Sequence, residues 1–255
     1  MSATTMKTPT NHRPLLATVV ILVLAVGAGL YFSGVWPRTA AQVVREAVTQ
    51  PLGAATHADV EIAMGIGRLQ IGVLDQPGAL VAGEIAYPDQ NRVTRTFAID
   101  GDTATFKLRE QDSQANNLVK YHNDAAIWAL RLTPATPMRL TLEAGVGENT
   151  IDLAQLHVTE LDLKTGIGTT TLTLPRQGHV QVQIENGVGK ITIRVPAGVG
   201  VRLNTERGIG NVEFPDAYVS QGTVHVSPGY ETSPNRVDLT INTGIGNITI
   251  QQISE

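Results

Sequence analysis

A tripeptide of glycine, a β-branched aliphatic residue and glycine recurs in register along this 255-residue chain. Four copies are spaced at 21 residues, a fifth follows after 36 residues, and an early copy lies 80 residues upstream of the run. The glycines of these copies are Gly65, Gly67, Gly145, Gly147, Gly166, Gly168, Gly187, Gly189, Gly208, Gly210, Gly244 and Gly246. A constant period of this length indicates a repeating backbone rather than a single loop.

Apolar residues keep the same register in every copy. The positions five and three residues before the first glycine, and six residues after it, are apolar throughout, with Thr205 as the one exception. These residues alternate with polar ones, the pattern of a strand that buries one face. Because a unit of about 20 residues cannot bury that face alone, we expect the copies to stack, each pairing with the next at about 4.8 Å. The sequence therefore predicts an all-β fold, a β-solenoid with rungs of about 21 residues.

Each glycine pair is interpreted as a structural corner between two short strands. Glycine allows the left-handed or crowded backbone that a sharp bend requires, and we expect the aliphatic residue between the glycines to point inward. The alternative is a phosphate-binding loop, but no copy extends to a G-x-G-x-x-G motif that opens a helix.

The N-terminal region predicts a membrane anchor. Residues 15–36 carry no charge and end in a group of aromatic residues, so they are long enough to span a bilayer as one transmembrane helix. Residues 1–14 form a short basic tail, an arrangement typical of a signal anchor. We therefore expect a single-pass protein of the cell membrane, with its C-terminal domain outside the cytoplasm. The alternative is a signal peptide that is cleaved after Ala28.

The rest of the chain divides into three predicted parts. Residues 37–53 predict a stalk helix or linker, because small and apolar residues between 39 and 50 form one helical stripe. Residues 54–132 contain strands without the period and predict an N-terminal capping part of the solenoid, with a hairpin signal at Asp100-Gly101. Residues 133–255 predict the regular rungs, with an inserted loop near 216–236.

The inserted loop is the candidate partner-contact site. It carries Tyr218, His225 and Tyr230 in a region that has few other aromatic residues, and insertions in solenoids project as loops that often serve recognition. The alternative is that these residues pack on Phe214 and cap the last rung.

Other features argue against catalysis and against several classes of ligand. The chain has no cysteine, which excludes disulfides, thiol catalysis and thiolate metal sites. Beyond residue 36 it holds 17 basic and 23 acidic residues, so it is a poor candidate for nucleic-acid binding. The carboxylates Asp152, Glu160 and Asp162 alternate with leucines or isoleucine and are expected to face solvent. We predict no catalytic residue, no cofactor and no metal site.

Several stretches resemble the toast-rack family of bacterial β-solenoid proteins, related to the C-terminal domain of LiaF-type cell-wall-stress proteins. They are 64–69, 128–132, 145–153 and 161–168, and the likeness extends over about residues 55 to 252. The resemblance implies a membrane-linked protein, in some members connected to envelope-stress signalling and in many termed adhesin-like. The chain differs from the LiaF type, which has several membrane helices, because it has one predicted span.

Together with this resemblance, these patterns predict a membrane-anchored, non-enzymatic β-solenoid that presents a binding or scaffolding surface at the bacterial cell envelope. Its partner would be an envelope protein or a cell-wall component, and a link to the envelope-stress response is one hypothesis. A secreted adhesin-like protein is one alternative. A polysaccharide-active enzyme is another, but such enzymes use aromatic platforms that the rungs lack. The sequence leaves the oligomeric state open.

Overall fold

The computed structural model describes residues 42–111 and 126–254. All regular structure in these residues is β-strand, joined in one 14-stranded sheet. The all-β prediction is confirmed for this part of the chain. The described residues include no helix with the length and hydrophobicity needed to cross a bilayer; the tail 1–14 and the predicted span 15–36 lie outside them.

The fourteen strands vary in length from two to 18 residues. They are β1 (Val43–Pro51), β2 (His57–Val73), β3 (Ala79–Pro88), β4 (Arg92–Asp100), β5 (Thr103–Gln111), β6 (Ile127–Leu132), β7 (Met138–Asp152), β8 (Val158–Thr173), β9 (His179–Pro196), β10 (Gly200–Ile209), β11 (Val212–Glu213), β12 (Val219–Gln221), β13 (Val224–Val226) and β14 (Arg236–Ile253).

The six copies of the repeat lie on β2, β7, β8, β9, β10 and β14. These strands pair in parallel with their glycine corners aligned, so that Val146 pairs with Ile167 and Ile167 with Val188. Each long strand runs through the corner; we call the part before the first glycine arm 1 and the part after the second glycine arm 2. On β8, Leu163 of arm 1 and Leu172 of arm 2 are both fully buried and belong to one hydrophobic core. The core therefore lies between the two arms of the stacked rungs.

The order of the rungs differs from the order of the chain. The final strand β14 lies between β9 and β10, and pairs in parallel with both. The expectation that each copy pairs with the next is therefore wrong at this end. The fourth copy is the irregular one: it carries Thr205 in an apolar row, and its arm 2 is reduced to the two residues of β11. An irregular copy disturbs the stack least at the end, where Thr205 N–H donates to the carbonyl of Thr223 at 3.2 Å.

Within the segment 37–53, predicted as a stalk helix or linker, the described residues form a strand instead. β1 runs antiparallel to β3, and its Val48 is fully buried in the core. The stripe that predicted the helix contains Val43, Val44 and Val48, whose branched side chains also suit strands. The free edge of β3 supplies the hydrogen-bond partner that decides between the two structures.

The N-terminal end of the stack is completed by two additions. β6 and β3 extend the arm 2 layer beyond β2. The hairpin β4–β5 extends the arm 1 layer, because β5 pairs with β2. The turn of this hairpin contains Gly101, whose φ is +60°. β2 itself carries the early copy and pairs with β7 from Ala58 to Ile71. The regular array therefore begins inside the predicted capping part 54–132.

The inserted segment closes the C-terminal end. Its hairpin β12–β13 pairs antiparallel with the outer edge of β10. Phe214 contacts the His225 ring with centroids 4.2 Å apart and the Tyr218 ring at 6.0 Å. These contacts place the insertion against the last rung, as the capping alternative predicts.

Candidate functional site

The corner glycines are required by the close approach of neighbouring rungs. The second glycine of every copy has a φ between +143° and +155°. An added Cβ at Gly189 would lie 1.7 Å from the carbonyl oxygen of Gly168, and one at Gly187 would lie 2.6 Å from that of Gly166. A side chain at either position would thus collide with the backbone of the next rung. The tripeptide alone does not define a corner, because Gly198-Val199-Gly200 leads from the turn after β9 into the first residue of β10.

The aliphatic residues between the glycines point outward, which corrects the expectation that they point inward. Their exposed fractions are 57% for Ile167, 42% for Val188, 47% for Ile245 and 66% for Ile209. The reason is the number of residues between the core positions on either side of the corner. On β9, Asn186 and Ile191 are both buried although they are an odd number of positions apart. The alternation of a strand therefore shifts by one at the corner, and the aliphatic residue faces solvent.

These side chains form a continuous row that we call the aliphatic ridge. In the order of the sheet its members are Ile66, Val146, Ile167, Val188, Ile245 and Ile209. The ridge has one side chain per rung, spaced by about 4.8 Å. A glycine without a side chain lies on each side of every member. The four members on β8, β9, β14 and β10 project from their surroundings, whereas Ile66 and Val146 are half-buried.

An open groove of about 1060 Å³ runs beside the ridge on the arm 1 side. We call it the glycine groove. Its floor includes Gly65, Gly145, Gly166, Gly187 and Gly244, and its outer wall includes Arg109, Glu143, Lys164, Glu185 and Glu206. The ridge and the groove together form what we call the corner face.

From β5 to β9, the wall of the groove carries charges of alternating sign. Arg109 pairs with Glu143 at 3.1 Å, and Lys164 lies 4.0 Å from Glu185. Glu61 accepts hydrogen bonds from Lys107 and Arg109. These bonds lower the pKa of its carboxyl, and Lys107 is the larger cause. The charges along this part of the wall are therefore paired with one another.

A ladder of buried and half-buried polar side chains lies next to the floor of the groove. The Thr165 hydroxyl donates to Asn186 Oδ1 at 2.8 Å, and Asn186 Nδ2 donates to the Thr243 hydroxyl at 2.9 Å. These bonds link β8, β9 and β14 at the position before the first glycine. The floor is thus held in one register by side chains as well as by the backbone.

The residues of the predicted contact loop lie away from the corner face. Tyr218 and Tyr230 are only 7% and 3% exposed. Burial raises the pKa of Tyr218 to about 12. The Tyr230 hydroxyl donates to Asp238 at 2.5 Å, the Arg202 guanidinium lies 4.4 Å from its ring, and His225 contacts Phe214. The aromatic side chains are used in packing the insertion on the last rungs.

The three carboxylates considered for catalysis are not brought together. Glu160 pairs with Arg139 at 2.9 Å on arm 1, whereas Asp152 on arm 2 accepts a hydrogen bond from the N–H of Ala154 at 3.0 Å. Asp162 lies 4.0 Å from Lys164. Among the described residues there is also no group of three or more His, Asp or Glu side chains arranged to hold a metal ion.

The ridge was missed by sequence reasoning, although a signal for it exists. On β8, the apolar residues Leu163 and Leu172 are both directed to the core and are nine positions apart. In an uninterrupted strand, two residues on the same face are an even number of positions apart. The odd count indicates a change of phase at the corner.

Comparisons with known proteins match the chain to two family models. The model for the N-terminal domain of toast_rack, DUF2154, matches residues 39–194, and the model for the C-terminal region of LiaF, cell wall-active antibiotics response, matches residues 146–250. No curated protein matches the sequence.

Two solved structures extend the comparison. A structure of a candidate cell adhesion protein from Clostridium sporogenes is 23% identical and has a TM-score of 0.76, over 83% of this chain and 100% of that one. A candidate adhesin from Bacteroides fragilis is 13% identical with a TM-score of 0.28, over 82% and 97% of the two chains. The first of these shares the fold; the second superimposes too poorly to support an argument.

Proposed function

The chain belongs to the toast-rack family, related to the C-terminal domain of LiaF-type cell-wall-stress proteins, and from this we propose a membrane-anchored, non-enzymatic protein of the bacterial envelope. In this proposal residues 15–36 anchor the chain in the cell membrane and the β-domain lies outside the cytoplasm. The domain presents the corner face to an envelope protein or a cell-wall component, and the family relation supports a role in the envelope-stress response.

The observation that carries the proposal is the exposure of the aliphatic ridge. Most isolated apolar side chains on a surface need no explanation, but a continuous row of them often marks an interaction site. The fold does not require an apolar residue here, because threonine has the same branched shape and is equally suited to an exposed strand. The four most exposed members lie on four consecutive rungs, β8, β9, β14 and β10.

The proposal can be tested with a ridge variant of the full-length protein in which Ile167, Val188 and Ile245 are replaced by threonine. We expect the variant to fold with a melting temperature close to that of the wild type, since these side chains lie outside the core. Binding to isolated cell walls, and to envelope proteins captured by cross-linking in intact cells, should fall at least tenfold.

The matched control replaces Thr150, Thr171 and Thr192 by serine, which alters three residues on the outer side of arm 2 of neighbouring rungs. This control should retain binding. If the ridge variant binds as the wild type does, the corner face is not the binding surface.

The anchoring part of the proposal has its own test. Protease added to spheroplasts should digest the β-domain and leave an N-terminal tag protected, and the protein should stay in the membrane pellet after a carbonate wash. A mature N-terminus that begins after Ala28 would instead support the secreted alternative.

A further inference from the structure

We propose that the corner face binds a second copy of this chain, with the aliphatic ridge of each copy seated in the glycine groove of the other. This inference rests on the proposed function, since it takes the corner face to be a binding surface, and it names the partner. The period of the two features, their symmetry and their charge favour this contact.

The ridge and the groove have the same period because the same rungs build both. The ridge offers one aliphatic side chain per rung, and the groove offers one glycine without a side chain per rung. A ridge of about 4.8 Å spacing can therefore occupy such a groove over its full length without losing register. A partner with another repeat distance would meet only one or two of these positions correctly.

The two features are also placed so that they are self-complementary. They lie side by side, a projecting row next to an open channel, and both run in the direction in which the rungs stack. A two-fold axis parallel to that direction turns the surface over and exchanges the two rows, so that each ridge faces the other copy's groove. A closed dimer with one interface on both copies is the commonest form of protein assembly.

From β5 to β9, the charges of the groove wall do not oppose this association. Although the chain as a whole is acidic, the wall pairs Arg109 with Glu143 and Lys164 with Glu185. The lining also holds Glu110 and Glu206, so a second copy meets the least repulsion along the rungs of these two ion pairs. Each apolar side chain of the ridge would be covered by backbone and by paired side chains.

The contact is expected to be weak in solution. Six rungs give a strip about 24 Å long and one side chain wide on each copy. Such a strip buries less surface than the roughly 1,200 Å² that stable complexes bury. Anchoring in a membrane raises the effective concentration of one copy near another, and this favours association without any new contact. The dimer should therefore be observed with the full-length protein in its membrane.

The experiment uses the absence of cysteine from the chain. Two copies with different tags are expressed together at full length, one with Val188→Cys in the ridge and one with Glu185→Cys in the groove wall of the same rung. A short bismaleimide is added to intact membranes. The control pair combines Val188→Cys with Arg194→Cys, an exposed position on arm 2 of the same strand. We expect the ridge–groove pair to form the mixed adduct at least tenfold faster than the control pair.

A second comparison tests the role of the aliphatic side chains. Ile167→Thr and Ile245→Thr in both copies should reduce the ridge–groove adduct to the level of the control pair, whereas Ile167→Val and Ile245→Val should preserve it. Equal adduct yields for the ridge–groove and control pairs would overturn the inference, as would an adduct that threonine does not diminish.

The failure of this inference can be distinguished from the failure of the proposed function. If the ridge–groove adduct is absent but the threonine ridge variant still loses envelope binding, the corner face serves another partner and only the dimer is wrong. If neither the adduct nor the binding depends on the ridge, both proposals are wrong.

Discussion

At the scale of single residues, the corner glycines show how an omitted side chain allows the rungs to stack. The second glycine of a corner meets two constraints at once, a positive φ and a carbonyl oxygen of the neighbouring rung within 1.8 Å of an added Cβ at most corners. The second constraint is the stronger, because backbone in the middle of a sheet cannot move without disturbing several rungs.

Replacement of Gly189 by alanine should therefore destabilise the protein by about 4 kcal/mol, at the upper end of the range for single substitutions. The control is Gly101→Ala, where φ is +60° but no atom lies within 4 Å of the added Cβ. Only backbone strain is added there, and the free energy of unfolding should fall by about 1–2 kcal/mol. Urea unfolding measures both. Equal losses would show that rung contact is not the reason for the glycine.

A second residue-scale prediction concerns pH. Burial acts to raise the pKa of Asp238, but hydrogen bonds from Tyr230, His179 and Gln181 outweigh it and lower the pKa below its ordinary value of 3.8. A lowered pKa in the folded state contributes stability above the pKa of the unfolded chain, and this stability is lost as the pH falls through the folded value.

Asp238→Asn should therefore lower the free energy of unfolding at pH 7 by about 1–2 kcal/mol, and the difference from the wild type should shrink below about pH 4. Thermal unfolding at pH 7 and pH 3 measures this. The control Asp75→Asn removes an exposed carboxylate and should change stability less at pH 7. A difference that persists unchanged at pH 3 would contradict the account.

At the scale of the elements, the inserted segment can be tested as a cap. The chain passes from β8 to β9 through residues 174–178 alone, so a short connection is sufficient to return it from arm 2 to arm 1. Deletion of residues 220–235, with the ends joined by a short turn, is therefore compatible with the rungs.

This deletion should lower the melting temperature by more than 5 °C, because it removes β13 from the edge of β10 and Tyr230 from Asp238. Binding through the corner face should remain at temperatures where the variant is folded. A variant that keeps its stability but loses its partner would instead identify the insertion, with Tyr218, His225 and Tyr230, as a contact loop.

The elements also show where sequence reasoning succeeds and where it ends. The alternation around residues such as Leu161 and Leu163 predicted the rungs, because burial on one face of a strand leaves a direct trace in the sequence. The strand β1 was not predicted, since the same valines fit a helical stripe and a strand. The outward turn of Ile167 depends on a phase shift at the corner, which shows in the sequence only as the odd spacing of Leu163 and Leu172.

The placement of β14 has a different cause. A parallel rung can pair with any other rung of the same register, so the period does not determine the order. Side chains that meet across strands decide it: Asn186 of β9 finds a hydroxyl partner in Thr243 of β14. Such pairs become visible only when the strands are placed side by side.

At the scale of the whole domain, the position of β14 predicts an unequal effect of truncation. A chain that ends at residue 235 lacks a rung from the interior of the sheet, whereas a chain that lacks residues 43–51 loses only the edge strand β1. The first should show little native strand signal in circular dichroism and rapid hydrogen exchange along β9 and β10. The second should keep the native strand signal, and slow hydrogen exchange, in the central rungs. Slow exchange in β9 and β10 of the first chain would contradict this prediction.

The interior position of β14 has a consequence for biosynthesis. β14 is synthesised after β9 and β10 and fills a place between them, so a chain still being made holds two strand edges without their final partner. Exposed edges of this kind pair readily with other chains. The nascent protein therefore depends on completion of β14, or on a chaperone until then, to avoid aggregation. Prematurely terminated products should be recognised and degraded rather than accumulate as functional fragments.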